Sequence, residues 1–488
     1  MVPMPILTSL QHWAESSPDR VALAVDGETV GYAALRDRVV ERLTPMPTPE
    51  GRPAPGLTVI DRLDSVDAVV RLLAGMAGSG CVAVLDPNWP AEQRAAVEER
   101  LRGWAPASGL SGPGARTNTG LTDTGLADGP AESTFLIGFT SGTTALPKAF
   151  SRTRGSWLRS LQHSAEALHL TGQDRTLAPG PLSTGLNLYA LIESLHAGGS
   201  FHSLTAFDVA TVLHSLDRDR ITRLVAVPTV LRILADRAMT AGRLDHALTG
   251  IVSGGATLDA ATTGLLQRWA PAATIASYYG AGELGFVAVS SLAPGETPPT
   301  ADTAVGLSFP GVRIRIAHDD GRPADIGEPA TIRVRSDLVC DGYLWGDDGA
   351  AFERVGDWCT VGDQGYLDES GVLHVLGRRA DMVVSAGSNV YPQQVEAVLH
   401  RVPGVEAAVV TARPDPVRGA RVVAAVIAVP DLPVDLLRQA CLTGLVAAHR
   451  PREFFRLSEL PLTTAGKVSR RTLARWIEQE DPRAVPLR

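Results

Sequence analysis

One stretch limits what this chain can be. Phe135 to Lys148 reads F-L-I-G-F-T-S-G-T-T-A-L-P-K. Its first five residues, Phe135 to Phe139, are mostly apolar, and a run that short fits a buried strand. The character then changes, with Thr140, Ser141, Gly142, Thr143 and Thr144 in succession. Small hydroxyl side chains around a glycine let backbone N–H groups turn inward toward an anion. Lys148 adds a compact positive charge at the far end, and Pro147 stiffens the approach to it. A loop of this make-up after a buried strand suits a triphosphate. It is not the Walker loop, which needs glycine directly before Lys-Ser/Thr, because here Pro147 precedes Lys148 and Ala149 follows it. The plain alternative is an ordinary polar turn with a surface lysine.

A chain of 488 residues is too long for one core and calls for two or more domains. A net charge of −8 disfavours a nucleic-acid partner. Cys81, Cys340, Cys359 and Cys441 lie far apart without a C-x-x-C pair. That spacing argues against a zinc site or a disulfide framework and suits a reducing compartment, so a cytoplasmic location is expected. The first twenty residues lack the basic-then-apolar order of a signal peptide, and no apolar run is long enough for a membrane span.

Residues 7 to 43 read as two amphipathic helices around a short strand, with a turn at Asp26-Gly27. Val69 to Pro90 reads as an apolar helix, a Gly78-Ser79-Gly80 break and a strand from Cys81 to Leu85. Gly103 to Pro130 is rich in Gly, Thr, Ser and Ala and is expected to be irregular. Ser156 is the expected N-cap of a helix running to about Leu168. Leu224 to Val227 is a buried-strand pattern. Ile251 to Leu258 is a short strand followed by Gly254-Gly255, a pair that permits close approach of backbone to a flat ligand. In Ser277 to Glu283, S-Y-Y-G-A-G-E, an aromatic can stack on adenine and a carboxylate can hold Mg2+ against phosphates. Asp363 can accept both hydroxyls of a ribose, with Arg378 near enough in sequence to assist. For Glu283 and Asp363 the bland alternative is a solvated loop or turn carboxylate. Pro392 suits the first turn of a helix. Beyond it, strands near Val405–Thr411 and Val422–Val429 and a helix from about Val434 make a small α+β unit.

Taken together, these motifs resemble the adenylate-forming superfamily, which includes acyl-CoA synthetases, luciferases and the adenylation domains of peptide synthetases. The likeness is carried by four ordered pieces: Thr140–Lys148, Tyr279-Gly280 with Glu283, Asp363 with Arg378, and L-P-L-T-T-A-G-K ending at Lys467. It implies an α/β fold, with a large multi-layer N-terminal adenylation domain over residues 1–377 and a small mobile α+β C-terminal domain over 378–488. It further implies that Thr140, Ser141, Gly142, Thr143, Thr144 and Lys148 hold phosphates. Gly255, Ala256, Thr257, Tyr278, Tyr279, Gly280, Asp363 and Arg378 would surround the rest of the nucleotide. Lys467, Glu283 and Thr143 would be catalytic, with Glu283 also the metal ligand. Thr184, Gly185 and Gly254 would line the acid pocket, Gly387 the thiol tunnel, and Ala380 would be the hinge.

The chain departs from the family at Ala145, Thr184, Gly282 and Ala380. No acidic residue lies between Ala178 and Leu191, and an unpaired ammonium in a pocket costs several kcal/mol, roughly. An amino-acid substrate is therefore disfavoured. The small residues Ser183, Thr184 and Gly185 suggest room for a bulky acyl group. The implied activity is that of an AMP-forming acyl-CoA synthetase using ATP, Mg2+ and CoA. The alternatives are loading of an acid onto a carrier-protein phosphopantetheine, or a nucleotide-binding protein that has lost catalysis.

Overall fold

The computed structural model describes residues 6–43, 56–104, 121–122, 125–140, 146–244, 246–298, 301–347, 349, 352–385, 388–416, 419–462 and 468–487. Its larger part is built on two sheets. The longer one has six parallel strands at one end, in the spatial order Thr274–Ala281, Gly250–Ser253, Arg223–Ala226, Arg175–Ala178, Ser200–Ser203 and Val21–Val25. Helices connect them, so both faces are covered, and the strands are near-continuous apolar runs such as Leu224-Val225-Ala226. Past Thr274–Ala281 the sheet turns antiparallel through Gly285–Leu292, Ala304–Ser308, Leu373–Arg378 and Asp363–Leu367.

The second sheet has five strands, in the order Gly342–Trp345, Lys148–Thr153, Thr134–Thr140, Cys81–Val84, Leu57–Ile60. The strand expected at Phe135 to Phe139 is Thr134–Thr140, and its hairpin partner begins at Lys148, directly opposite Thr140. A smaller four-stranded sheet follows in the C-terminal part: Val405–Asp415, Gly419–Ala428, Glu453–Leu457 and Ala484–Pro486. It is packed by the helices Pro392–His400, Val434–Gly444 and Arg470–Glu478, and Pro392 stands in the first turn as expected.

Two local expectations differ from the structure. The helix placed at Ser156 spans Arg154–Ala167, with Thr153 as its N-cap. The Arg154 N–H is already bonded to the Ser133 carbonyl, so the helix starts straight off the preceding strand. Ser156 then falls in the first turn and donates to the Thr153 carbonyl at 2.7 Å. In the stretch expected to be irregular, Leu121–Thr122 and Gly125–Leu126 pair as a short hairpin. Among the described residues, no helix is long and apolar enough to cross a membrane.

Candidate active site

The site is assembled where the ends of the two sheets meet. The strand Thr134–Thr140 delivers Thr140 at its C-terminal end, just before the polar loop. Ser141, Gly142, Thr143, Thr144 and Ala145 lie outside the described residues. Beyond that loop, the Trp345 indole N–H donates to the Pro147 carbonyl at 2.9 Å and pins the return of the chain. Lys148 is 5% exposed, so the surface-lysine alternative is excluded.

Glu283 is likewise no solvated carboxylate; it is 4% exposed. It lies in the turn between the strands Thr274–Ala281 and Gly285–Leu292. The turn is held by Arg152, whose Nε and Nη2 donate to the Gly282 carbonyl at 3.0 and 2.6 Å, while Nη1 donates to the Leu338 carbonyl at 2.7 Å. The Tyr343 hydroxyl donates to Glu283 Oε1 and lies 3.3 Å from the Thr140 hydroxyl. A polar chain Thr140–Tyr343–Glu283 therefore joins the end of the phosphate-loop strand to the expected metal ligand. Burial first, and then the Glu283 charge, push the Tyr343 phenol well above its ordinary range, so it stays a donor.

Asp363 opens the strand Asp363–Leu367 directly opposite Arg378, and the Arg378 guanidinium is 3.4 Å from its carboxylate. The Tyr279 hydroxyl donates to the other carboxylate oxygen at 2.5 Å. Burial raises the Asp363 carboxyl above its usual range, with Arg378 and Tyr279 pulling it back. Burial and the Asp363 charge together push the Tyr279 phenol up. Glu283 acts electrostatically on Asp363, Tyr279 and Arg378, so the two carboxylates belong to one site.

The remaining expected residues fall around these. Gly254 is buried, and a Cβ there would lie 2.5 Å from Cζ of Tyr278, so only glycine leaves room for the Tyr278 ring. Gly255 has a left-handed φ of +84° and is exposed, with Ala256 and Thr257 in the turn that follows. Gly280 sits in the strand Thr274–Ala281 against the Gly285 carbonyl. The Thr184 hydroxyl donates to the Pro181 carbonyl at 2.9 Å, and Gly185 begins the helix Gly185–Ala197 with open space around its Cα. Ala380 lies in a single 3-10 turn, Arg379–Asp381, in which Arg379 Nη1 reaches Asp319 at 2.6 Å. Gly387 and Lys467 lie outside the described residues.

Tyr343 and Arg152 were not singled out by any motif. The one available signal was the Gly342-Tyr343 pair, which carries no chemistry by itself.

A lone carboxylate such as Glu283 suits Mg2+, which takes most of its ligands from phosphates and water. Among the described residues no cluster of three or more His, Cys, Asp or Glu could hold a metal without a substrate.

Comparison with known proteins covers the same ground. The AMP-binding enzyme family matches residues 58–344, and its C-terminal domain matches residues 394–467. The uncharacterised acyl-CoA ligase YhfT of Bacillus subtilis (strain 168) is 30% identical over 98% of this chain and 99% of its own. A 2-succinylbenzoate–CoA ligase of Oceanobacillus iheyensis is 30% identical over 70% of this chain and 69% of its own. The solved o-succinylbenzoate CoA synthetase of Bacillus subtilis, in complex with its acyl-adenylate intermediate, superposes with a TM-score of 0.78 at 25% identity. That match covers 96% of this chain and 98% of the other.

Proposed function

Because the chain belongs to the AMP-binding enzyme family and is an AMP-forming acid–thiol ligase, we propose that it couples a carboxylic acid lacking an α-amino group to CoA in two steps at one site. In the first, a carboxylate oxygen attacks the α-phosphorus of ATP, the bond to the bridging oxygen breaks, and pyrophosphate leaves. In the second, the CoA sulfur attacks the acyl carbonyl and AMP leaves with the bonding pair. The domains divide near Gly377, and the turn at Ala380 is the hinge between the two steps.

The observation that carries this reading is the buried Glu283, held by the Arg152-clamped turn on one side and Tyr343 on the other. It sits within electrostatic reach of the Asp363–Arg378 pair. A charged group so confined, beside an anion-suited loop, fits the phosphate end of a nucleotide. The Asp363–Arg378 pair fits the ribose, and Tyr279 the adenine. Mg2+ held at Glu283 would neutralise phosphate charge. Thr140 to Thr144 and Lys148 orient the phosphates, and Lys467 counters the charge that builds on the carboxylate and α-phosphate. Thr184, Gly185 and Gly254 border the acid.

Carboxylate-dependent ATP–pyrophosphate exchange across an acid panel, repeated as product formation with CoA, tests the reading. Exchange followed by acyl-CoA is the expected result. Exchange without acyl-CoA transfers the second step to a carrier-protein phosphopantetheine. ATP binding with no exchange for any acid overturns the activity. Lys467→Ala is expected to reduce acyl-adenylate formation by about 100-fold or more while sparing thioester formation from preformed adenylate. Equal loss in both steps would remove Lys467 from its assigned role.

A further inference from the structure

Beside the expected acid site lies a buried charge pair that the fold leaves half satisfied. Arg223 begins the strand Arg223–Ala226, and Glu193 sits on the helix Gly185–Ala197. Their side chains are 2% and 3% exposed, and Arg223 Nη2 donates to Glu193 Oε2 at 2.9 Å. Among the described residues, Glu193 Oε1 and Arg223 Nε and Nη1 have no hydrogen-bond partner. A buried ion pair recovers its desolvation cost only when its remaining donors and acceptors are also bonded. Three open polar positions in one buried pair therefore call for something that fills them.

Both residues line a cavity of about 10 Å³ together with Leu186, Tyr189, Tyr278 and Phe286. Leu186, Tyr189 and Glu193 follow at spacings of three and four, so one face of the helix runs from Gly185 to the pair. Tyr278 closes the opposite side, its ring on Gly254. Leu186 follows Gly185 directly in the chain and Tyr278 packs on Gly254, so the cavity adjoins two of the residues proposed to border the acid.

We propose that this cavity is the far end of the acid pocket and that the acid ends in a hydroxyl group, which donates to Glu193 Oε1 and accepts from Arg223 Nη1. The inference rests on the acid-activating function proposed above. The pair is neutral as a whole, so it has no charge to offer a charged guest. A second carboxylate would meet Glu193, and an ammonium would meet Arg223. A methyl end would leave all three polar atoms open, whereas a hydroxyl fills two of them and leaves only Arg223 Nε. A hydroxyl supplies one donor and one acceptor and is about the size of the single water such a space holds. The aromatic rings of Tyr189, Tyr278 and Phe286 wall this small space, so it takes the end group of the acid and not its carbon frame.

The test is ATP–pyrophosphate exchange by the full chain with acids matched in length and differing at the far end: hydroxyl, methyl, carboxylate or ammonium, on alkanoate and benzoate frames. A site built to hydrogen-bond a hydroxyl rejects the analogue without it strongly. At least one hydroxyl-ended acid is therefore expected to exceed its methyl-ended counterpart about 100-fold in kcat/KM. In the double variant Arg223→Met with Glu193→Leu, both charges are removed together so that neither is left buried and unpaired, and the preference is expected to pass to the methyl-ended acid. Methyl-ended acids used as well as hydroxyl-ended ones by the unaltered protein overturn this inference and leave acid activation standing. A folded double variant that keeps the hydroxyl preference also overturns it. Exchange with no acid overturns both readings. Should the double variant fail to fold, the ratio measured on the unaltered protein decides alone.

Discussion

Two groups of buried charges differ in how they are wired. Arg154 and Asp128 are scaffold: their side chains are 5% and 2% exposed. Arg154 donates to the Ser133 hydroxyl and to the carbonyls of Met76 and Gly80, at 3.1, 2.6 and 2.6 Å. Asp128 Oδ2 accepts the N–H groups of Leu7 and Thr8 at 2.7 and 3.0 Å. The charges are thus tied to backbone from several parts of the chain. Glu283 and Asp363 are also buried, yet among the described residues their side chains are held by two phenols and one arginine. Backbone ties hold a scaffold in place. Phenol donors and a neighbouring guanidinium can be rearranged by an arriving ligand.

The largest expected effect breaks the scaffold side of this contrast. Arg154→Met leaves Asp128 buried without its cation, at a cost of roughly 3–5 kcal/mol. Chemical denaturation should show that loss, while turnover per folded molecule stays near that of the unaltered protein. A stable variant with lost turnover would move Arg154 into the site and end the contrast. On the other side, Glu283→Gln keeps the shape and removes the charge. Exchange is expected to fall about 100-fold, and the unfolding free energy to move by no more than about 1 kcal/mol. A collapse of stability instead would make Glu283 a scaffold charge like Asp128. Tyr343→Phe is a smaller cut, removing one charge-assisted hydrogen bond. A loss of about tenfold in kcat for adenylation is expected, with KM for the acid little changed.

The residues proposed above to carry the chemistry stand in motifs that the chain itself displays, and those that position them do not. Thr140, Glu283, Asp363 and Arg378 stand in short motifs whose composition already suggests phosphate, metal or ribose. The structure adds that Glu283 and Asp363 are buried. Tyr343 and Arg152 acquire their roles through pairing of Gly342–Trp345 with Lys148–Thr153, a contact between segments almost two hundred positions apart. No local period or spacing announces such a pairing. The Glu193–Arg223 pair is hidden for the same reason, since one member faces the other across a helix–sheet layer. Individual strands such as Thr134–Thr140 could be read from apolar runs, whereas the sheet order depends on which runs meet in space. Ser156 shows the reverse error: a good capping residue was overruled by the Ser133 carbonyl, which had already set the start of the helix.

The smallest expected effect sharpens the contrast most, because it concerns a single donor. Tyr279 donates to Asp363, and that bond is one of the influences holding the carboxyl below the value that burial alone would give it. Tyr279→Phe therefore raises the Asp363 pKa further. The ionised form, proposed above to accept ribose hydroxyls, is then lost at a higher pH than in the unaltered protein. The acid limb of kcat/KM for ATP should move to higher pH, with only a several-fold loss on the alkaline plateau. Stability carries the matching sign. A carboxyl whose folded pKa lies above its unfolded one favours the fold while protonated, and that contribution disappears as pH rises through the folded value. The variant should accordingly lose stability relative to the unaltered protein as pH rises, and least at low pH. Denaturation at several pH values, beside the ATP profile, checks both limbs. An acid limb that does not move would mean that Tyr279 does not hold Asp363, and the contrast with Asp128 would fail there.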